Sequence, residues 1–152
     1  MNKKLILSLA MGTLVLLGCT QQLPKLLDDG SWIDAAGRLL LIGFFVVAGL
    51  CNLTREQIQA HIDYMGEAGA PFPAAAFWIG IVLQFTGCAL IIAGWHAEIG
   101  VYCLIVFILA ATAIFHRFWG MTDPMRRNLA RLFLLNNVAI LGGLLLLLDR
   151  LK

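Results

Sequence analysis

A chain of 152 residues is long enough for one domain, but 61% of its residues are hydrophobic and only 13% are charged, far from the balance of a soluble domain. It carries four uncharged runs of membrane-spanning length, more than one small aqueous core can use, so the composition excludes an ordinary soluble fold and makes the bilayer the solvent. The net charge is only +2 and the eleven basic residues are scattered without aromatic interleaving, which argues against nucleic acid and leaves membrane lipid as the first partner.

The chain opens with Lys3 and Lys4 ahead of an apolar run over 5–17, followed by the small residues Gly18 and Cys19. That is the layout of a secretory signal. Leu16-Leu17-Gly18-Cys19 also resembles the lipobox of bacterial lipoproteins, in which the cysteine is lipidated and becomes the first residue of the mature protein. The alternative is an uncleaved signal anchor, a fifth and shorter hydrophobic helix. Residues 20–34, with Pro24, Asp28, Asp29 and Gly30, read as a polar tether.

Four spans follow, at about 35–53, 73–94, 99–115 and 132–148. At 1.5 Å per residue, runs of this size reach roughly 25 to 33 Å, the thickness of a hydrocarbon core. The expected fold is therefore all-α: residues 1–19 form a signal segment, 20–34 a tether and 35–152 a transmembrane four-helix bundle. The segment after the third span holds Arg117, Arg126, Arg127 and Arg131 against Asp123, which places that end in the cytoplasm by the positive-inside rule. An N-terminus retained inside by Lys3 and Lys4 gives the same orientation, while Arg150 and Lys152 fall on the other side. The protein is thus expected in the inner (plasma) membrane of a bacterial cell as a multi-pass chain.

Between the first two spans, Gln57, Ile58, His61, Ile62 and Met65 recur at helical spacing before Gly66, Gly69, Pro71 and Pro73. This predicts a short amphipathic helix at the interface with a structural role. Trp32, Trp78, Trp95 and Trp119 fall close to span ends, where indole rings anchor a bundle.

In lipid, polar side chains on inner helix faces carry function or hold helices together. Gly80, Gln84, Gly87 and Gly94 follow one stripe of the second span, interrupted by Ile91. Its small residues allow a neighbouring helix to come close, and Gln84 falls near the bilayer midplane. In the fourth span Asn136, Ala139 and Gly143 form a similar stripe, with Asn137 about 100° away. Tyr102, Leu109, Ala113 and His116 share a face of the third span. One end of the bundle therefore gathers Asn52, His116, Arg117, Asn136 and Asn137. A ligand with an apolar tail and a polar ring, such as a quinone, suits that cluster, and a histidine there can exchange a proton near neutral pH. The structural alternative is that Arg117 meets lipid phosphate, His116 caps its helix and the amides join helices. Cys51, Cys88 and Cys103 lie within apolar runs and read as small buried hydrophobes rather than disulfide partners. No metal-ligand spacing, nucleotide fingerprint, hydrolase motif or paired haem-ligand histidines is present, so the chain does not read as a catalyst on its own.

The pattern from Gly37 to Leu148 resembles the DoxX family. The resemblance is carried by Gly37-Arg38-Leu39-Leu40-Leu41, Ala48-Gly49-Leu50-Cys51-Asn52-Leu53-Thr54, Tyr64-Met65 and Gly69-Ala70-Pro71-Phe72-Pro73. It continues in Gln84-Phe85-Thr86-Gly87-Cys88-Ala89-Leu90, His116-Arg117-Phe118-Trp119 and Leu134-Leu135-Asn136-Asn137-Val138-Ala139. The family is named for the quinone-reducing membrane part of a thiosulfate:quinone oxidoreductase. The resemblance implies a redox-linked membrane subunit near the quinone pool; together with the polar cluster it leads to the expectation of an accessory or quinone-contacting subunit beside a redox enzyme partner, with Gln84, His116, Arg117, Asn136 and Asn137 as the residues to contact the quinone. Where members often have Glu in the second span this chain has Gln84, an amide unable to relay a proton, and where they often have Lys it has Asn52. The competing expectation is a non-catalytic assembly or scaffold protein. A solute transporter has little support without charged midplane residues or a broken helix.

Overall fold

The computed structural model describes residues 32–115 and 121–152, and these form five helices: α1 Trp32–Asn52, α2 Arg55–Glu67, α3 Pro73–Ala93, α4 Ala97–Phe115 and α5 Pro124–Leu151. The expectations for the signal segment, Cys19, His116, Arg117 and Trp119 fall outside the described residues. α1, α3, α4 and α5 are each long and apolar enough to cross a membrane. Among the described residues there is no strand. The all-α four-span architecture read from the sequence is the architecture found.

Local signals explain where the helices begin and end. Asp34 sits in the first turn of α1, where a carboxylate suits the positive helix end, and pairs with Arg38 one turn on at 2.8 Å. Thr54 caps α2 by accepting from the Gln57 amide, and Gly69, at φ 76°, turns the chain after it. Pro73 occupies the first turn of α3, where its missing N–H costs nothing, and Gly94 closes that helix in the left-handed conformation at φ 63°. Asp123 caps α5 through Oδ1, which accepts from the Met125 amide at 3.0 Å, again with proline next.

α5 corrects one expectation. Its 28 residues make it roughly 42 Å long, more than a hydrocarbon core needs, so Arg126, Arg127 and Arg131 ride on its first turns and not on a loop. Hydropathy marks only the apolar part of such a helix; the Asp123-Pro124 cap marks where it starts.

The core has two layers. In the larger one Ile42 and Phe45 of α1, Cys88 and Ile91 of α3, Val101, Leu104 and Ile108 of α4, and Leu144, Leu147 and Leu148 of α5 pack together. In the smaller one Met65 of α2 joins Phe77 and Ile81 of α3, with Ile58, Ile62 and Phe115 against them. The amphipathic stripe predicted for α2 thus forms, and it closes one end of the α3–α4 hairpin. Outward faces carry Leu40, Val82 and Leu146, more than half exposed, as hydrocarbon contact requires. Trp32, Trp78 and Trp95 are exposed near helix ends, as expected of anchors.

Candidate functional site

Gly80 and Gly87 lie two turns apart on α3 and face α4. At Gly87 the helices touch backbone to backbone: a Cβ there would stand 2.8 Å from the Gly100 carbonyl oxygen, and one on Gly100 would stand 2.7 Å from that of Gly87. At Gly80 the residue opposite is Phe107, whose ring lies 3.5 Å from where a Cβ would be. The hairpin is closed at the first level and held open at the second.

The opening is a cavity of about 550 Å³, within the range of small-molecule sites. Its walls come from α3 and α4, with α2 and the end of α1 closing it. Aromatic rings surround the α2 end: Tyr64 stacks on Phe115 at 5.2 Å between centroids, and His61 sits edge-on to Phe115 at 5.3 Å. Ile79, Val106 and Ala110 line the cavity and are exposed, so its mouth opens sideways, toward the hydrocarbon. Among the described residues, the polar side chains on the wall are Asn52, His61 and Gln84.

Gln84 is 1% exposed and is the buried polar residue among the described residues. Its Nε2 donates to the Phe45 carbonyl oxygen of α1 at 2.6 Å. That carbonyl is open from the side because Gly49, one turn on, has no side chain; a Cβ on Gly49 would lie 3.2 Å from Gln84 Nε2 and 2.9 Å from the Phe85 ring. The other amide atom, Gln84 Oε1, is buried without a hydrogen-bond donor. An orphaned buried acceptor costs about 1–3 kcal/mol, and with almost no accessible surface Oε1 lies in the packing behind the wall. His61 Nδ1 lies 2.7 Å from the Gln57 carbonyl oxygen; a carbonyl only accepts, so Nδ1 carries the hydrogen.

Of the residues singled out from the sequence, Gln84 stands in the cavity wall, as does Asn52. Asn137 does not. It donates through Nδ2 to Thr112 Oγ1 at 2.8 Å, and Thr112 donates in turn to the Ile108 carbonyl at 2.7 Å, which ties α5 to α4. Asn136 and Ala139 are exposed, while Gly143 of the same stripe is half-buried against Leu41 of α1, so the stripe meets a neighbour only at its Gly143 end. The inward face of α5 runs through Ala130, Asn137, Leu144 and Leu151, because bulky leucines fill the space against the other helices better than small residues do. On α4, Tyr102, Leu109 and Ala113 also face outward.

His61 was read as part of an amphipathic stripe and Phe107 was not singled out. The stripe itself held a signal for His61, an imidazole one turn before Met65 on the buried face. Phe107 was legible only with the α3–α4 register known.

A second cavity, of about 390 Å³, lies at the opposite end between α1 and α5, lined by the charged Asp34, Arg38, Asp149 and Arg150. The Asp34–Arg38 pair lies along its α1 wall, and Ile33, Leu41, Leu146 and Leu147 also line it.

A family model described as DoxX matches residues 33–117, more than half of the chain and the whole of the first cavity's wall. Inner membrane protein YphA of Escherichia coli (strain K12) is 28% identical over 111 residues, which cover 72% of this chain and 76% of that protein. No solved structure matches.

Proposed function

The chain belongs to the DoxX family, and from that premise we propose that this multi-pass inner-membrane protein is an accessory subunit of a membrane redox system and contacts quinone in the α3–α4 cavity. The observation that carries the reading is the cavity itself: apolar walls, a mouth turned toward lipid, and the polar side chains of Asn52, His61 and Gln84 among its lining. A lipophilic ring fits between the phenylalanines while its tail leaves through the mouth at Ile79, Val106 and Ala110. Asn52, His61 and Gln84 would hold the head, and His116 and Arg117, next in sequence after Phe115, belong to the same proposal. A bound quinone would supply the exchange of electrons and protons with the membrane pool. The chain's own part is to bind the ring, orient it and keep water away, and a partner redox enzyme supplies the electrons.

The test is to purify the protein in detergent and analyse the extracted lipid. Quinone should copurify with the unaltered protein and fall severalfold in Ala110→Phe, which fills the mouth from an exposed position. Absence of quinone from the unaltered protein, or the same amount in Ala110→Phe, overturns the reading.

A further inference from the structure

We propose that the cavity between α1 and α5 is a headgroup site for a phospholipid that carries a phosphate and a primary ammonium together, an ethanolamine-type lipid. It lies apart from the α3–α4 cavity and is independent of the quinone reading.

The spacing of residues along the two helices puts charge at one level and hydrocarbon below it. Asp34 and Arg38 of α1 and Asp149 and Arg150 of α5 line the cavity where α1 begins and α5 ends, at the end of the bundle away from Arg126 and Arg127. Leu41 lies two turns beyond Asp34 and Gly143 two turns before Arg150, each roughly 10 Å along its helix axis. There the walls meet, since a Cβ on Gly143 would stand 3.5 Å from Leu41 Cδ1. One turn nearer the charges, Gly37 leaves open space, with nothing within 4 Å of where its Cβ would be. Leu146 lines the α5 side of the cavity and is 73% exposed, so the cavity opens toward the hydrocarbon. A lipid entering from the bilayer brings its head to the charges and its first carbons past Gly37.

The charges select the head. α1 presents an ion pair, with Asp34 2.8 Å from Nη2 of Arg38, on a guanidinium whose five N–H donors exceed the two that a carboxylate takes in a bidentate fork. α5 presents an exposed acid next to an exposed base. A ligand with a single charge of either sign meets a like charge here as well as an opposite one, whereas a ligand with both can turn each toward its opposite. The helix ends give the direction: the positive start of α1 favours the phosphate near Arg38, and the negative end of α5 favours the ammonium near Asp149. A primary ammonium donates hydrogen bonds to that carboxylate, and a quaternary one has none to donate.

The experiment incubates the purified full chain in detergent with equal amounts of phosphatidylethanolamine, phosphatidylcholine and phosphatidylglycerol of one acyl composition, and counts the lipids retained by native mass spectrometry. The choline lipid keeps the charges and loses the N–H donors; the glycerol lipid keeps the phosphate and loses the cation. The ethanolamine lipid should be retained roughly two- to fivefold over each of the others, the size of an exposed ion pair. Asp149→Asn, at an exposed position, should abolish that preference. Gly37→Leu fills the open space with a better helix former, and should lower retention of the ethanolamine lipid to the level of the other two. Equal retention of the three by the unaltered protein, or a preference for the choline or glycerol lipid, overturns the proposal. An unchanged preference in either variant overturns it too, because the lipid is then bound elsewhere. Retention of none of the three, the result expected if protein fills the cavity, also overturns it.

Discussion

Gly80 and Gly87 are the same residue type on the same face of the same helix, seven positions apart, and they do opposite things. Seven positions is also the distance between the residues that face them on the antiparallel α4, Phe107 and Gly100. Where glycine meets glycine, two backbones come into contact and Leu104 packs over the joint. Where glycine meets phenylalanine, the ring props the helices apart and a cavity of about 550 Å³ results. A stripe of small residues thus sets how close a helix could come to its neighbour. The residue opposite decides whether it does.

The comparison breaks most visibly under a single methyl group. In Gly87→Ala or Gly100→Ala the new Cβ stands within 2.8 Å of a backbone oxygen, which has no rotamer by which to move away. The helices must separate, and even after the gain in helix propensity we expect a net loss of about 1–2 kcal/mol. Gly80→Ala places its Cβ at ordinary contact distance from the Phe107 ring and should stay within about 0.5 kcal/mol of the unaltered protein. Unfolding by added SDS in mixed micelles reads both values. A Gly87→Ala as benign as Gly80→Ala would show that α3 and α4 do not meet at this joint.

The amide beside the cavity should come next in size. Gln84→Leu removes the bond to the Phe45 carbonyl, and bonds of this kind within a membrane are worth ~0.6 to 2 kcal/mol. Gly49→Ala crowds the same contact from the other helix, but against the movable ends of Phe85 and Gln84, so it should cost no more than about 1 kcal/mol. The two changes disturb one interaction, so the double variant should lose less than the sum of the single ones. Additive losses in the same micelle assay would separate Gly49 from Gln84.

These contacts mark the boundary of what the sequence discloses. Span count, helix boundaries within a few residues except at the start of α5, and the α2 stripe were legible, because hydropathy, proline, glycine and capping residues act locally. The burial of Gln84 was legible too, as a lone amide among small residues near a midplane. The level at which the hairpin opens was not. It depends on Phe107 arriving opposite Gly80, and register between two apolar helices leaves no trace in either helix alone. The inward face of α5 departs from its small-residue stripe for a related reason: of Asn136, Ala139 and Gly143 only Gly143 is partly buried, against Leu41, and the helix packs mainly through Leu144, Leu147 and Leu148.

That face gives the smallest effect and the sharpest choice between neighbours. Asn136 and Asn137 are chemically identical and differ by 100° of helix rotation. Asn137 is half-buried and reaches Thr112 on α4, while Asn136 is exposed. Asn137→Ala should therefore cost about 0.6 kcal/mol, and Thr112→Val a similar amount, since each removes the same interhelical bond. Asn136→Ala should change stability by less than about 0.5 kcal/mol, and none of the three should alter ligand binding, because none of these side chains lines the cavity. The order matters more than the size: a larger loss from Asn136→Ala would rotate α5 by most of a third of a turn and restore the stripe of Asn136, Ala139 and Gly143 as its inner face. With Asn137 inside, α5 is pinned by a polar bond two turns from the leucines that bury it. The span least buried in the bundle is then attached to the cavity's own helix, α4, at the level of the wall residue Ala111.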